Sequence, residues 1–472
     1  MNLLALTLAT GVSLAAVAAP TDDAAWIEDQ RQKWNIPGVT VALVRLGEPA
    51  KLYASGFCDI EAKRACVPES VFHIASITKF FTGLLAAELA EEGLLNVDEP
   101  LSKRWPEFRL SDSRWKEVTL RDVLAQRAGL GWVDWPYIWD QTLTRETYID
   151  RLVHVPMATG FREKYSYANA NFIVAGSYLE RVTGTRWEDL LLTRLVLPLN
   201  MRKTGFQMPS KESAGYGVDR AGRDVRMPPT TTQAIGPAGS IVSSAKDFAA
   251  LIEMVLANGR HQGKQVLHAS AVALATSPAT RNSGFGIQLG TWRNRAIHEH
   301  AGGYPGYSAY FALLPTEKVG VVVLSNRNST SFPEAMAIGL LERVLGLSQD
   351  EAAQQRYAKR NAQKAPRASV ASDDQLPADK KYEGQYCNPA WGAFDVMRQQ
   401  EKYRIRFGTH EFPLEQFKKG ELQFAAMPGS DILRLTFIED AEGKIFGFLL
   451  KDVDNPAVQV FEKRRCGSAV AR

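Results

Sequence analysis

From Phe72 to Ala87 the chain is almost wholly apolar, and Lys79 is the only formally charged side chain in a run that includes Ile74, Ile77, Phe80, Phe81, Leu84 and Leu85. A helix that is apolar all round is a buried helix, so the fold must close on every side of this segment and bury a lysine with it. No carboxylate stands beside that lysine in sequence. Desolvation then lowers its pKa and leaves a fraction as neutral amine, which is a base. Ser76 lies three residues earlier, where the strand-like Val71-Phe72-His73-Ile74-Ala75 passes into the helix. Positions i and i+3 share a helix face, so hydroxyl and amine can meet. A serine is inert at its own pKa and needs a neighbouring proton acceptor, while a helix N-terminus offers free N–H groups and positive potential to a developing oxyanion. Ser76 is thus a candidate nucleophile and Lys79 its candidate base. The plain alternative is a serine cap with a lysine that snorkels to solvent.

Spacing alone does not single out this pair, because Ser-x-x-Lys occurs three times. Ser113 and Lys116 fall in the charged stretch Ser111-Asp112-Ser113-Arg114-Trp115-Lys116-Glu117, where both groups are solvated. Ser243 and Lys246 belong to a helix start at which Ser244 and Asp247 form a capping box, a sufficient structural account. Only Ser76 sits in an apolar setting that asks for a chemical one.

The 472 residues, 45% hydrophobic and 23% charged, suit two or three ordinary globular domains and exclude a disordered or collagen-like chain. A net charge of +4 without a long basic run lacks the footprint of a nucleic-acid binder, so a small-molecule partner is expected. Residues 1–18 are apolar or small and end in Ala16-Val17-Ala18, which predicts a signal peptide and a secreted or periplasmic protein; no later stretch is long and apolar enough for a stable membrane span. Mixed strand-type runs (Val39 to Val44, Val319 to Leu324) and helix-type runs closed by glycine (Phe80 to Gly93, Asp247 to Gly259) predict one α/β domain over 19–348. A polar linker, helical at first, follows over 349–375. Short alternating runs such as Tyr403 to Phe407 and Ile432 to Phe437, set between glycine turns, then predict a small antiparallel β-barrel over 376–472. The four cysteines fall as two plausible pairs, Cys58 with Cys66 across a hairpin turn and Cys387 with Cys466 from first strand to last, though four separate buried thiols fit the sequence as well.

Beyond the tetrapeptide Ser76-Ile77-Thr78-Lys79, the order of motifs resembles the serine β-lactamase-like hydrolases, the class C branch with its esterases, D-amino-acid peptidases and penicillin-binding proteins. The resemblance is carried by Phe72 to Lys79, Gly93 to Leu101, Val118 to Leu124, Tyr165 to Phe172, Leu197 to Met201, Gly236 to Ser240 and His300 to Gly306, and covers roughly residues 25 to 345. It implies an α/β (α+β) fold: an antiparallel sheet flanked by helices plus an all-helical region. For the β module it implies a likeness to appended lipocalin-like domains. Tyr167-Ala168-Asn169 is similar to the family's Tyr-x-Asn element, in which the phenol shares the serine's proton with the lysine and the amide holds substrate. A phenol titrates near 10, so acting as a base near neutrality needs a cation beside it, which Lys79 would be; lysine and tyrosine then titrate as one system. His300-Ala301-Gly302 is similar to the third element. The resemblance implies an oxyanion hole from the backbone N–H groups of Ser76 and Gly303, with His300 tuning the Tyr167 network or the substrate.

One departure bears on substrate. β-Lactamases carry Lys-Thr-Gly at the third element, a permanent cation for a substrate carboxylate, whereas His300 is mostly neutral at pH 7. Gln126-Arg127-Ala128-Gly129-Leu130 stands where the family often has His-Thr-Ser-Gly-Leu, and it leads into a segment with Trp132, Trp135 and Trp139 that either walls the site or packs its loop down. The expected protein is a serine hydrolase forming an acyl-enzyme on an ester, β-lactam or D-amino-acid amide carbonyl, with no metal or organic cofactor. Two rivals stand beside it. His298 and His300, on one face of a strand, would suit a metal-dependent hydrolase, and a degenerate hydrolase domain would suit a non-catalytic binding protein.

Overall fold

The computed structural model describes residues 23–131, 134, 140, 142–219, 222–228, 234–363, 380–399, 402–418, 421–425, 432–452 and 458–466. The segment read as a signal peptide, the three tryptophans at 132, 135 and 139, and the later part of the linker lie outside these residues.

A seven-stranded antiparallel sheet is the frame of the first body. Across it the strands run Gln288–Trp292, Arg295–Tyr304, Tyr307–Leu314, Val319–Ser325, Gly38–Arg45, Lys51–Asp59 and Arg64–Ala65. The two sequence-predicted apolar runs pair directly, Val39 opposite Ser325 through Arg45 opposite Val319. Both are buried along their length, as strands covered on both faces must be. Side-chain alternation divides them between two cores. Val39, Val41 and Leu43 face one core with the helix Phe332–Val344, whereas Ala42 and Val44 face the other, which holds the helices Thr78–Glu91 and Ala245–Leu256.

The all-helical region packs on the second of these faces, where Asn169–Thr183 lies against Gly236–Gly239 and Leu120–Leu124. The expected capping box at Ser244 is only half made. Ser244 Oγ accepts from the Asp247 N–H, but the Asp247 carboxylate turns to the Lys203 N–H and the Thr204 hydroxyl. The Ser113 to Lys116 segment is an exposed 3-10 turn, as its charge predicts.

Beyond the helix Glu351–Gln363, the described residues between Gly384 and Lys463 form nine antiparallel strands in a nearly closed, barrel-like sheet. Its first strand, Gly384–Asn388, pairs with its last, Val458–Lys463. Tyr386, Phe394, Ile405, Leu435, Phe448 and Phe461 fill the interior. Both disulfides are present: Cys58–Cys66 staples the hairpin between Lys51–Asp59 and Arg64–Ala65, and Cys387–Cys466 locks first strand to last. The second bridge closes a span of 79 residues, a loop whose cross-link stabilises mainly by restricting the unfolded chain. Replacing Cys387 and Cys466 together by serine is expected to cost roughly 2–5 kcal/mol. Urea denaturation followed through tryptophan fluorescence measures this, with the Cys58/Cys66 double variant as the short-loop control.

Candidate active site

Ser76 is placed by three local devices. The strand Val71–His73 pairs with Val242–Ser244, the Ile74 N–H bonds the Ile241 carbonyl at 3.0 Å, and Ala75 takes a left-handed φ of 50° that turns the chain into the 3-10 segment Ala75–Ile77. From there Thr78–Glu91 runs through the core with only Glu88 as a buried acidic group. The same helix is tied to the Gly236–Gly239 turn: Thr82 Oγ1 donates to the Pro237 carbonyl at 2.7 Å, and Thr78 Oγ1 accepts from the Ile241 N–H at 3.1 Å.

Lys79 is fully buried. Its Nζ lies 2.9 Å from Ser76 Oγ and 2.8 Å from the Ala238 carbonyl oxygen, and 5.0 Å from the Tyr167 ring centre. Among the described residues no carboxylate lies within ion-pair distance of it. Desolvation therefore brings its pKa down to about 7, against a small upward pull from Asp134. At neutral pH the amine is divided between its two forms. The neutral form can donate to Ala238 and accept from the Ser76 hydroxyl.

Tyr167 completes the cluster, its hydroxyl donating to Ser76 Oγ at 2.8 Å. Although 39% of the residue is exposed, burial of its hydroxyl pushes the phenol well above its usual value, with the Ser76 hydrogen bond opposing. A shift in that direction makes Tyr167 a proton donor to the serine rather than a phenolate. Asn169 begins the helix Asn169–Thr183 and its Nδ2 donates to Asp134 Oδ2 at 2.8 Å. The amide predicted to face substrate is thus oriented by a buried carboxylate. Asp134 went unnoticed in the sequence because nothing in a lone aspartate marks it as a partner of Asn169.

The strand Arg295–Tyr304 brings the third element alongside. His300 is buried, and its Nδ1 lies 2.6 Å from the Ala301 carbonyl oxygen. A carbonyl only accepts, so this ring is the Nδ1–H tautomer with a free lone pair at Nε2. Burial, helped by the Lys79 charge, lowers its pKa to about 4, so it is neutral. Its ring centre lies 6.3 Å from that of Tyr167. Gly302 is where this strand touches the serine turn: a Cβ there would sit 2.2 Å from the Ile74 carbonyl oxygen, so any side chain would push the strand away. Gly303 instead borders open space. His298 is on the same strand with its pKa lowered by burial; among the described residues no group of three or more His, Cys, Asp or Glu could hold a metal ion with the two imidazoles.

Two further supports carry no motif. Gln126, at a left-handed φ of 57°, clamps the tyrosine loop: its Oε1 accepts from the Ala168 N–H at 3.0 Å and from Asn171 Nδ2 at 2.6 Å, and its carbonyl accepts from the Ser166 N–H. Gly176 lets the tyrosine helix close on Pro237, which a Cβ would meet at 2.0 Å. Tyr167 and the Ala238 carbonyl are thereby held against the same lysine.

A serine at a helix start, a buried lysine one turn on, a tyrosine from the all-helical region and a His-x-Gly strand define a site of one recognisable class. Residues 24–345 match the Beta-lactamase family, and the chain belongs to that family. Among curated proteins it is 26% identical over 322 residues to Protein flp of Staphylococcus aureus (strain NCTC 8325 / PS 47), covering 65% of this chain and 63% of that protein. It is 25% identical over 336 residues to a Beta-lactamase of Escherichia coli (strain K12), covering 63% of this chain and 86% of the relative. The chain thus spans somewhat under two thirds of the length of the S. aureus relative. Of solved structures, the octameric penicillin-binding protein homologue of Pyrococcus abyssi superposes with a TM-score of 0.58 at 20% identity over 93% of this chain and 98% of its own. The D-amino acid amidase of Ochrobactrum anthropi SV3 gives 0.57 at 22% over 68% and 95%. At those identities the likeness is one of fold.

The lysine's burial has a measurable cost. Below pH 7 the amine is protonated in both folded and unfolded chains, and the buried ammonium destabilises the fold in full. Between about 7 and 10.5 the folded protein has released a proton that the unfolded chain still holds, so the cost shrinks as pH rises. Lys79→Met is therefore expected to be more stable than the wild type by about 1–4 kcal/mol at pH 6, with the gap narrowing toward pH 10. Chemical denaturation at a series of pH values tests this; a gap that widens with pH would contradict it.

Proposed function

We propose that this chain is a serine hydrolase that acts through an acyl-enzyme on a small-molecule ester, β-lactam or D-amino-acid amide, with esters favoured. The observation that carries the reading is the three-membered contact at Ser76 Oγ, with a buried amine at 2.9 Å and a phenol at 2.8 Å. Ser76 Oγ attacks the substrate carbonyl carbon while its proton passes to the neutral Lys79 amine. The carbonyl π pair moves onto oxygen, where the backbone N–H groups of Ser76 and Gly303 receive it. Collapse of the tetrahedral intermediate breaks the bond to the leaving group, which takes a proton from the Lys79–Tyr167 pair. Water, deprotonated by the same pair, then attacks the acyl-serine carbonyl; collapse of this second intermediate breaks the bond to Ser76 Oγ, which takes the proton back from the pair as the acid leaves. Asn169 orients the substrate, and His300, neutral and an acceptor at Nε2, tunes the phenol or contacts substrate. The preference for esters rests on His300: a neutral imidazole supplies no cation for the carboxylate common to penicillins and peptide C-termini.

We also propose that the protein is exported, as residues 1–18 suggest; two disulfides suit an oxidising compartment. The division at 348 and 375 into hydrolase domain, linker and barrel belongs to the same proposal. It is supported by a main sheet whose strands end at Ser325 and a second sheet that begins at Gly384.

Turnover of a short-chain nitrophenyl ester, a chromogenic cephalosporin and a D-alanyl peptide, each blanked with Ser76→Ala, ranks the three substrate classes. Ser76→Ala is expected to lose at least about a thousandfold in kcat and to abolish labelling by a fluorophosphonate. Because the base is the deprotonated amine, kcat/KM is expected to rise with pH through about 7. A folded wild type inert to all three substrates and to the fluorophosphonate would exclude this function.

A further inference from the structure

Between the segment that leads into Tyr167 and the strand edge beside His300 lies a cavity of about 680 Å³. Arg127, Arg162, Lys164 and Tyr165 line one side, Arg281 and Gln288 the other. Lys164 and Tyr165 precede the tyrosine by three and two residues, and the edge strand pairs directly with the histidine strand, Leu289 opposite His298 and Gln288 opposite Glu299. The cavity is therefore bounded by the two segments that bring phenol and imidazole to Ser76.

Its charge is unbalanced and partly preorganised. Asp122 has a fully buried side chain and accepts from Arg127 Nε at 2.8 Å, from Arg162 Nε at 2.9 Å and from Arg162 Nη2 at 2.7 Å. Two guanidiniums on one carboxylate leave a surplus positive charge. That carboxylate is itself fixed as the capping-box acid of Leu120–Leu124, so Arg127 is anchored through Nε, while its terminal nitrogens have no partner among the described residues. The head groups of Lys164 and Arg281 likewise make no hydrogen bond or ion pair there. Two acidic side chains also line the cavity, Glu163, which accepts from the Gly160 N–H at 2.8 Å, and Glu299, which accepts from the Tyr310 hydroxyl and is pushed toward its neutral form by burial; with Asp122 they leave Arg127, Arg162, Lys164 and Arg281 a small excess of positive charge. A planar fork held by its inner nitrogen and flanked by two exposed cations is a receptor for a carboxylate.

We infer that this cavity binds an anionic group on the substrate, with Arg127 as its fixed donor and Lys164 and Arg281 as its rim, so that the substrates preferred by the hydrolase proposed above are carboxylate-bearing esters. The inference rests on that proposal for the reaction, but the binding site can be tested without it. In this chain the positive charge that the third element lacks at His300 stands instead on Arg127, Lys164 and Arg281.

The test uses the full chain and two ester pairs: nitrophenyl butyrate against nitrophenyl hemisuccinate, with the carboxylate on the acyl side, and phenyl acetate against 4-carboxyphenyl acetate, with it on the alcohol side. For at least one pair the wild type is expected to give the higher kcat/KM with the anionic member, by a margin that shrinks as salt is raised. Replacing both Lys164 and Arg281, which are exposed, by glutamate is expected to lower that anionic-to-neutral ratio by about tenfold or more. A wild type that prefers the neutral ester in both pairs, or a ratio unmoved by the double substitution, overturns the inference. Titration of the two anionic esters into Ser76→Ala protein by calorimetry separates the two claims. Binding that the glutamate variant abolishes upholds the anion site even where no ester is turned over, and absence of binding in the wild-type cavity rejects it.

Discussion

Among the described residues Lys79 has no ion pair to lower the cost of its burial, and the site is arranged around that fact. An ammonium at this position would be held by one carbonyl, one hydroxyl and the faces of two aromatic rings. That is too little to replace its hydration, so the proton is held loosely and released near pH 7. The surroundings that destabilise the ammonium also suppress charge on its neighbours. The phenol of Tyr167 is pushed up and the imidazole of His300 down, each toward its neutral form. The result is a chain of neutral donors and acceptors from Tyr167 through Ser76 to Lys79 and the Ala238 carbonyl, joined by hydrogen bonds that are already formed before a proton moves.

Holding four such groups within hydrogen-bond range demands close backbone approaches. Gly302 lets the histidine strand come against the Ile74 carbonyl, and Gly176 lets the tyrosine helix meet Pro237. Gln126 then fixes the loop between them by filling the hydrogen-bonding needs of Ser166, Ala168 and Asn171. Each element comes from a different part of the chain, and packing in the core leaves little room for any of them to shift. The precision of the cluster is therefore a property of the helix, turn and sheet contacts around it and not of the serine segment alone.

The second sheet contributes to the same apolar cluster as the helical region, and its Gly392 approaches the buried Arg151 guanidinium, with a Cβ position 3.1 Å from Nη1. The barrel thus abuts the region that precedes the tyrosine helix. Its own stability has a different origin from that of the first body: a small interior of aromatic rings, closed by pairing of first and last strands and by a disulfide across that seam.

Periodicity and apolar burial are local properties, and they made much of this protein legible in the sequence. The helix after Ser76 with its buried lysine, the paired strands at Val39 and Val319, the alternating strands of the barrel and the Ser76–Lys79 contact, three residues apart across a helix start, could all be reasoned from neighbouring residues. The tyrosine and the His-x-Gly strand were found only through a resemblance, since a loop triplet and a lone histidine carry no signal of their own. Asp134 beneath Asn169, the Ala238 carbonyl on Lys79, the Gln126 clamp and the shared Asp122 below the cationic cavity were decided by tertiary structure. Each depends on a hydrogen bond between residues brought together by packing, and a backbone carbonyl or a single polar side chain offers the sequence no pattern from which that partner can be read. The direction of the phenol's shift was decided there too: a cation beside a tyrosine would favour the phenolate, but enclosure of the hydroxyl, opposed by the Ser76 hydrogen bond, pushes the phenol up, and enclosure exists only once the chain has folded.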